Sequence, residues 1–216
     1  HSGNIPLLYK QGFRGEVICT IGTKDLCEIM LRDSAYIQMS DAEWLNKHNR
    51  RSGRETVEAL YNIKDAEGAL KLFKTTEYNT CNIIDVDGKE LKIVFKDAGH
   101  LLGSASIKVE LYNGDKCLSS IIFSGDIGNE NMPLIKNPSY FNNADYVVME
   151  STYGNRLHEK PSDYVTLLSK IIQRTFDRGG DLIIPSFAVG RAQELLYFIR
   201  EIKERKLIKN HDHFKV

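Results

Sequence analysis

Three short apolar runs, each followed by a polar side chain that can do chemistry, lie between residues 91 and 154. The runs are rich in β-branched and aromatic residues, and they are followed by His100, Asp126 and Glu150. This composition predicts three strands. If the strands lie in one sheet and point the same way, the imidazole and the two carboxylates gather at one edge, which a metal-dependent hydrolase could use. Polar turn residues at strand ends are the structural alternative.

Two turn signals indicate that these strands belong to a sheet built from hairpins. Asp87-Gly88 follows a strand predicted over 80–86, and Asn113-Gly114 separates strands predicted over 104–111 and 118–123. A polar surface loop is predicted over 129–143, and a buried strand over 146–149 follows it. The centre of the chain is therefore predicted to be an antiparallel or mixed sheet, as one half of a β-sandwich would be.

Apolar spacings of three and four residues predict helices on both sides of this sheet. Before the sheet, the predicted elements are helices over 4–11, 23–32, 40–49 and from Asn62 through Phe73, with a strand over 15–20. Thr23 is expected to cap the second helix, with Ile29 and Met30 on its inner side, and Trp44 is expected to pack inward. After the sheet, helices over 163–176 and 192–202 flank a strand over 182–185, which is typical of α/β structure.

Charge and hydropathy limit the classes of function that the chain can serve. The sequence holds 29 basic and 29 acidic residues, so any nucleic-acid surface has to be a local one. No run approaches the roughly 18 apolar residues of a membrane span, and no signal peptide is visible. The four cysteines are far apart and form no Cys-x-x-Cys pair, which indicates reduced thiols in an intracellular, cytoplasmic protein.

Four segments resemble successive motifs of the β-CASP branch of the metallo-β-lactamase superfamily. They are Asp97–Ala105 (DAGHLLGSA), Phe123–Gly128 (FSGDIG), Glu150–Gly154 (ESTYG) and Ile184–Leu196 (IPSFAVGRAQELL). The opening His1–Pro6 (HSGNIP) resembles the end of the branch's metal-binding His-x-His-x-Asp-His motif. The branch contains RNA- and DNA-processing nucleases, including the endonuclease subunit of the cleavage and polyadenylation machinery and its bacterial and archaeal relatives.

The resemblance implies an α/β (α+β) fold in two parts. Residues 1–154 are expected to form a partial metallo-β-lactamase αββα sandwich, and residues 155–216 the start of an α/β β-CASP domain. The resemblance also implies an internal fragment, because the family's early metal ligands would precede residue 1 and its late histidines would follow residue 216.

The resemblance assigns roles to four residues of the metal site. His100 and His1 are each expected to bind one metal ion, and Asp126 is expected to bridge the two ions. Glu150 is expected to orient a ligand histidine or to share a proton with it. A capping carboxylate in the turn at Ser151 is the structural alternative for Glu150.

Two further residues are candidates for contact with the substrate. His158 follows the start of a loop, and a solvated loop histidine is its alternative interpretation. Arg191 follows Gly190 at a predicted helix N-terminus, where the helix dipole and a guanidinium together suit a phosphate. A surface salt bridge is the alternative interpretation of Arg191.

The function that these expectations imply is a zinc-dependent nuclease, endo- or 5′-exonucleolytic, that hydrolyses phosphodiester bonds in RNA by a two-metal mechanism. The full-length protein is expected to bind two Zn²⁺ ions, and the fragment to bind them poorly and to be inactive. RNA is the expected partner ahead of DNA, no membrane partner is expected, and a homodimer is left open. The alternatives are a non-catalytic RNA- or partner-binding scaffold of the same fold and a metallohydrolase that acts on DNA.

Overall fold

The computed structural model describes residues 2–157, 163–211 and 214–216. The chain forms two compact units. Unit 1 comprises His1–Asn129 and Asn137–Met149, and unit 2 comprises Glu130–Lys136 and Glu150–Val216. Both helices and strands are present, so the predicted mixture of α and β structure is confirmed, whereas the αββα layering stays a prediction.

Unit 1 contains a five-stranded sheet that places the candidate site residues. Its strands, in spatial order, are β3 (Cys81–Val86), β4 (Lys89–Asp97), β5 (Ala105–Asn113), β6 (Lys116–Phe123) and β7 (Tyr146–Val148). The first four strands pair antiparallel, and β7 pairs parallel with β6. The hairpin predicted at Asp87-Gly88 is confirmed, and the hairpin predicted at Asn113-Gly114 forms one residue later, with Gly114 and Asp115 as its turn residues. Because β4 and β6 both oppose β5, strands β4, β6 and β7 point the same way, as predicted.

A second, two-stranded sheet lies earlier in unit 1. Strand β1 (Val17–Thr20) pairs parallel with β2 (Phe73–Thr76), and helices α2 (Ile21–Ser52) and α3 (Ile63–Leu70) connect them. A short 3-10 turn over Ser2–Asn4 and helix α1 (Ile5–Lys10) precede this sheet. The elements share a core of eight buried residues, namely Cys19, Cys27, Leu31, Ala35, Tyr61, Ala66, Leu70 and Phe73. The assignment of Phe73 to a helix was wrong, because this residue pairs with Val17 in the sheet.

Helix α2 differs from the sequence prediction in four details. The two predicted helices are one helix of 32 residues, since the intervening residues contain neither glycine nor proline. The cap is Thr20, whose hydroxyl accepts a hydrogen bond from the backbone nitrogen of Thr23 at 3.2 Å. Ile29 is 72% exposed and Met30 is exposed as well, because Cys27, Leu31 and Ala35 form the inner face. Trp44 is also exposed.

The thiols of unit 1 agree with the prediction of reduced cysteines. All four cysteines are free, and Cys19 and Cys27 are buried. Burial, and to a smaller extent the neighbouring Cys27 thiol, raises the pKa of Cys19 to about 11. Cys19 is therefore a protonated core residue at neutral pH.

Two further strand predictions were wrong in part. Strand β7 forms, but Val147 and Val148 are more than half exposed, because β7 is an edge strand that pairs with β6 alone. Residues 182–185 form no strand, since no described segment pairs with them. The predicted loop over 129–143 is irregular, as expected.

Unit 2 is helical in its described residues. It contains α4 (Tyr164–Phe176) and α5 (Arg191–Glu204), and Asp163 caps α4 through a 3.1 Å hydrogen bond from the backbone of Thr166. Its small core consists of Ile172, Ile202 and Ile208, with Phe176, Leu182 and Phe214 packed against it. Across the described part of the chain, no helix is both long enough and apolar enough to span a membrane.

Candidate metal centre

The candidate site of unit 1 lies where β4 and β6 end. His100 follows β4, which ends at Asp97, and Asp126 follows β6, which ends at Phe123. Both strands pair antiparallel with β5 and are therefore parallel to each other, so their carboxyl ends lie at the same edge of the sheet. The Nε2 atom of His100 lies 3.9 Å from Oδ2 of Asp126, which brings the two predicted ligands together.

The loop that carries His100 is held by the side chain of Ser104. The backbone nitrogens of His100 and Leu101 each donate a hydrogen bond to Oγ of Ser104 at 3.1 Å. The backbone of Ser104 closes the same loop, since its nitrogen donates to the Leu101 carbonyl at 3.0 Å and its carbonyl accepts from Ala98 at 3.2 Å. One serine therefore fixes the backbone on both sides of the histidine.

The same loop is attached to the beginning of helix α2. The hydroxyls of Thr20 and Thr23 donate to the carbonyl of Gly103 at 2.7 and 2.8 Å. Gly103 has φ +80°, and a Cβ on this residue would overlap the backbone of Thr23, so only glycine fits. Tyr78 adds a third support, because its hydroxyl donates to the carbonyl of Ser104 at 3.0 Å. Burial, followed by the nearby Asp97 carboxylate, raises the pKa of Tyr78, so this donor keeps its proton.

The loop that carries Asp126 is held by its neighbours in the sheet and by the His100 loop. The carbonyl of Ser124 accepts from Oγ of Ser106 at 2.8 Å, and its nitrogen donates to Val148 of β7 at 2.9 Å. The nitrogen of Gly128 donates to the carbonyl of Ala98 at 2.9 Å. A Cβ on Gly128 would overlap the carbonyl of Gly99, so the two loops interlock by direct backbone contact.

The His100–Asp126 pair faces solvent on this rigid frame. The side chains are 40% and 46% exposed, and 3.9 Å is too long for a direct hydrogen bond. Zinc–ligand distances of about 2.0–2.2 Å would allow one ion to touch both atoms. Among the residues that the structure describes, however, no group of three His, Cys, Asp or Glu side chains is arranged to hold a metal ion. The described chain therefore contributes a pair of donors of the right chemistry.

For the other four predicted site residues, the structure gives at most their place in the chain and their local contacts. His1 and His158 lie outside the described residues. Glu150 follows the end of β7 by two residues, is partly buried and belongs to unit 2. Arg191 begins α5 and forms an ion pair with Glu194 at 2.8 Å, which is the salt bridge of its alternative interpretation. The proposed roles of these four residues stay predictions.

Sequence reasoning missed most of the residues that hold the site together. It did not identify the contact of Gly128 with the carbonyl of Gly99. It did not find Ser104, Tyr78 or Thr20, whose contacts are to backbone atoms of the His100 loop. The signal that existed was local: a serine that directly follows a Leu-Leu-Gly turn is well placed to bond the turn's own amides.

Comparison with known proteins identifies relatives that are named as a ribonuclease and as transcription termination factors. The chain is 33% identical over 199 residues, or 92% of its length, to ribonuclease TTHA0252 from Thermus thermophilus. It is also 32% identical over 204 and 206 residues, 93% of its length in both cases, to the transcription termination factors FttA of Methanothermobacter thermautotrophicus and Methanocaldococcus jannaschii. The chain spans 40% of the length of the ribonuclease and 29% of each termination factor. No family model matches the chain. The name ribonuclease of the first relative agrees with the RNA-processing class that the motifs predicted.

Proposed function

We propose that the protein is a zinc-dependent ribonuclease of the β-CASP branch of the metallo-β-lactamase superfamily, and that it hydrolyses phosphodiester bonds in RNA by a two-metal mechanism. The observation that carries the proposal is the 3.9 Å approach of His100 to Asp126 at one sheet edge. The similarity to a protein named ribonuclease, over 92% of the chain, supports the substrate class.

The donor atoms of His100 and Asp126 are of types that zinc binds, and they supply part of the usual number of protein ligands. Imidazole nitrogen and carboxylate oxygen are both zinc ligands, and a catalytic zinc site takes three protein ligands. His100 and Asp126 provide two donors, and His1 is proposed as a further one. When bound, two zinc ions would make a water nucleophilic near neutral pH and stabilise charge on the phosphate oxygens.

The protein's own part in this chemistry is to hold the donors in place. The Ser104 hydrogen bonds and the Gly128 contact fix the backbone at His100, so little ordering of the loop is left to be done on binding. Asp126 is proposed as the bridging ligand because the two oxygens of one carboxylate point in different directions. Glu150 is proposed to orient a ligand histidine by accepting a hydrogen bond from the ring N–H of that histidine, as carboxylates commonly do around zinc.

Substrate contact is proposed for Arg191 and His158. The ion pair of Arg191 with Glu194 joins an arginine side chain that is 60% exposed to a glutamate side chain that is 14% exposed. The exposed guanidinium can also contact a phosphate, which suits its planar set of donors. We further propose a cytoplasmic protein in which residues 1–154 and 155–216 belong to the metallo-β-lactamase and β-CASP domains, with homodimerisation left to experiment.

The test is the cleavage of end-labelled RNA by the full-length protein and two variants. Asp126→Ala should reduce cleavage at least hundredfold and lower the zinc content, because it removes a direct metal ligand. Asp115→Ala is the matched control, since Asp115 is an exposed carboxylate at the opposite end of β6. Full activity of Asp126→Ala, or cleavage by the wild type that survives chelation, would refute the metal assignment.

The same assay separates the alternative functions. A non-catalytic scaffold would bind RNA without cleaving it, and a DNA-specific hydrolase would cleave only the matched DNA strand. A role in transcription termination is a second candidate, because the FttA relatives carry that name. It predicts that purified protein releases transcripts from stalled elongation complexes, and that Asp126→Ala reduces this release.

A further inference from the structure

The last turns of helix α2 carry a local excess of positive charge that the proposed metal centre does not use. Residues 44–54 contain Lys47, Arg50, Arg51 and Arg54 and no acidic residue, although the whole chain balances 29 basic against 29 acidic residues. Within the described part of the chain, none of these four cations lies within 4.0 Å of a carboxylate oxygen. No described residue therefore neutralises this excess charge through an ion pair.

Aromatic and basic side chains share one face of this helix end. Trp44, Lys47, His48 and Arg51 have the spacing i, i+3, i+4 and i+7, which places them on one side of a helix that continues to Ser52. We call these four residues the distal face of α2. The ring centroids of Trp44 and His48 lie 4.1 Å apart with the ring planes tilted by 36°, and Trp44 is 58% exposed. An aromatic platform is therefore presented next to two cations.

The opposite side of the same helix end is anchored to the following chain. Asn46 donates to the carbonyl of Val57 at 2.9 Å and accepts from its nitrogen at 2.8 Å, and Asn49 donates to the carbonyl of Glu55 at 2.8 Å. These bonds order the helix end and leave the distal face exposed. The platform is thus preorganised, which lowers the entropic cost of binding a ligand there.

The chemistry of the distal face matches single-stranded nucleic acid. Uncompensated cations suit phosphates, and an exposed indole suits the flat face of an unpaired base. We infer that the distal face of α2 is a binding surface for single-stranded RNA, separate from the His100–Asp126 pair; this inference rests on the proposed ribonuclease function.

The separation sets a length requirement on the RNA. Helix α2 starts beside the His100 loop, where Thr20 bonds Gly103, and Trp44 lies 23 residues beyond Ile21. At about 1.5 Å per residue, this distance is about 35 Å along the helix axis. At about 3.4 Å per stacked nucleotide, a stacked strand that reaches both places has about ten nucleotides. The distal face therefore binds long RNA and contributes nothing to a hexamer held at the metal centre.

The test compares the affinity of the full-length protein for fluorescent single-stranded RNA of 30 and 6 nucleotides between 50 and 200 mM salt. For the 30-mer, Lys47→Gln/Arg51→Gln should lower affinity about tenfold or more at 0.1 M salt and reduce the salt slope by about 1.4, since each lost phosphate contact contributes about 0.7. Trp44→Ala should lower affinity about fivefold or more without changing the slope, and Trp44→Phe should restore most of it. Affinity for the 6-mer should be unchanged in all three variants.

The matched control is Arg32→Gln/Lys64→Gln, which removes the same charge from exposed positions elsewhere in unit 1. Equal losses in the control and in Lys47→Gln/Arg51→Gln would overturn the distal face while leaving the ribonuclease proposal intact. Absence of RNA binding by the wild type would overturn both. A distal-face variant that keeps RNA affinity but loses self-association in sedimentation would show a protein interface and overturn the inference. Circular dichroism of each variant confirms that the helix is retained.

Discussion

The contact between Gly128 and Gly99 makes the substitution Gly128→Ala a sharp test of how the metal centre is built. Gly128 does not have a positive φ, so alanine is conformationally acceptable there and only the space is in question. The new Cβ would overlap the Gly99 carbonyl and lie 2.7 Å from the nitrogen of His100. These are backbone atoms that cannot rotate away, so the two loops have to separate.

The size of the effect follows from what the separation breaks. Moving the loops apart removes the 2.9 Å hydrogen bond from Gly128 to the Ala98 carbonyl, which contributes about 1 kcal/mol. Overpacking of a close contact costs a further 1–3 kcal/mol or so. The free energy of unfolding of unit 1 should therefore fall by about 2–4 kcal/mol. A displacement of about 1 Å between His100 and Asp126 should also lower RNA cleavage about a hundredfold.

The assays are urea unfolding and RNA cleavage, with Gly180→Ala as the control. Gly180 also lacks a positive φ, and its Cβ would meet Thr175 atoms only at 3.7 Å or more, which is ordinary contact. This control should be neutral or stabilising by about 0.4–1 kcal/mol, because alanine reduces the entropy of the unfolded chain. If Gly128→Ala matches Gly180→Ala in stability and in cleavage, the loops are not interlocked as described.

Three other perturbations probe the same unit. Ser104→Ala should speed hydrogen exchange at the amides of His100 and Leu101 and weaken zinc binding about tenfold, as loss of a ligand's outer support does; unchanged exchange would contradict this role. The hydrogen bonds from Ser120 lower the pKa of Asp145, so the stability that they contribute is present above pH 4 or so and is lost as the pH falls further. The difference in unfolding free energy between the wild type and Asp145→Asn should therefore disappear in acid. A difference that does not change with pH would refute this. Zinc titration of the 216-residue chain should show no tight binding of two equivalents, whereas the full-length protein should bind them.

The sheet and the central pair of the site could be predicted because their signals are local. Asp87-Gly88 and the signal at Asn113-Gly114 each specify a short turn, and each turn fixes one antiparallel pair, β3–β4 and β5–β6. Because β4 also pairs antiparallel with β5, β4 and β6 point the same way, and His100 and Asp126 leave the sheet at the same edge. The shared edge follows from these pairings, and the chemistry of the pair follows from the residue types.

The supports of the site could not be predicted because they join distant parts of the sequence. The bond from Thr20 to Gly103 spans 83 residues, and the bond from Tyr78 to Ser104 spans 26. No periodicity links such positions. The prediction for residues 182–185 failed for a related reason, since a strand exists only when another strand pairs with it. The burial expected for Val147 failed because β7 is an edge strand, a property of the assembled sheet.

The proposed metal ligands differ in their contacts from the residues that support the two loops. His100 and Asp126 keep 40% and 46% of their side chains exposed, so truncating either one removes little buried surface. Ser104 and Gly128 touch backbone atoms of the loops, so their substitution disturbs geometry before chemistry. Variants of the first pair should therefore lose cleavage and metal while unfolding at wild-type urea concentrations. Variants of Ser104 and Gly128 should lose stability and cleavage together. These two residues hold the backbone that sets the positions of His100 and Asp126.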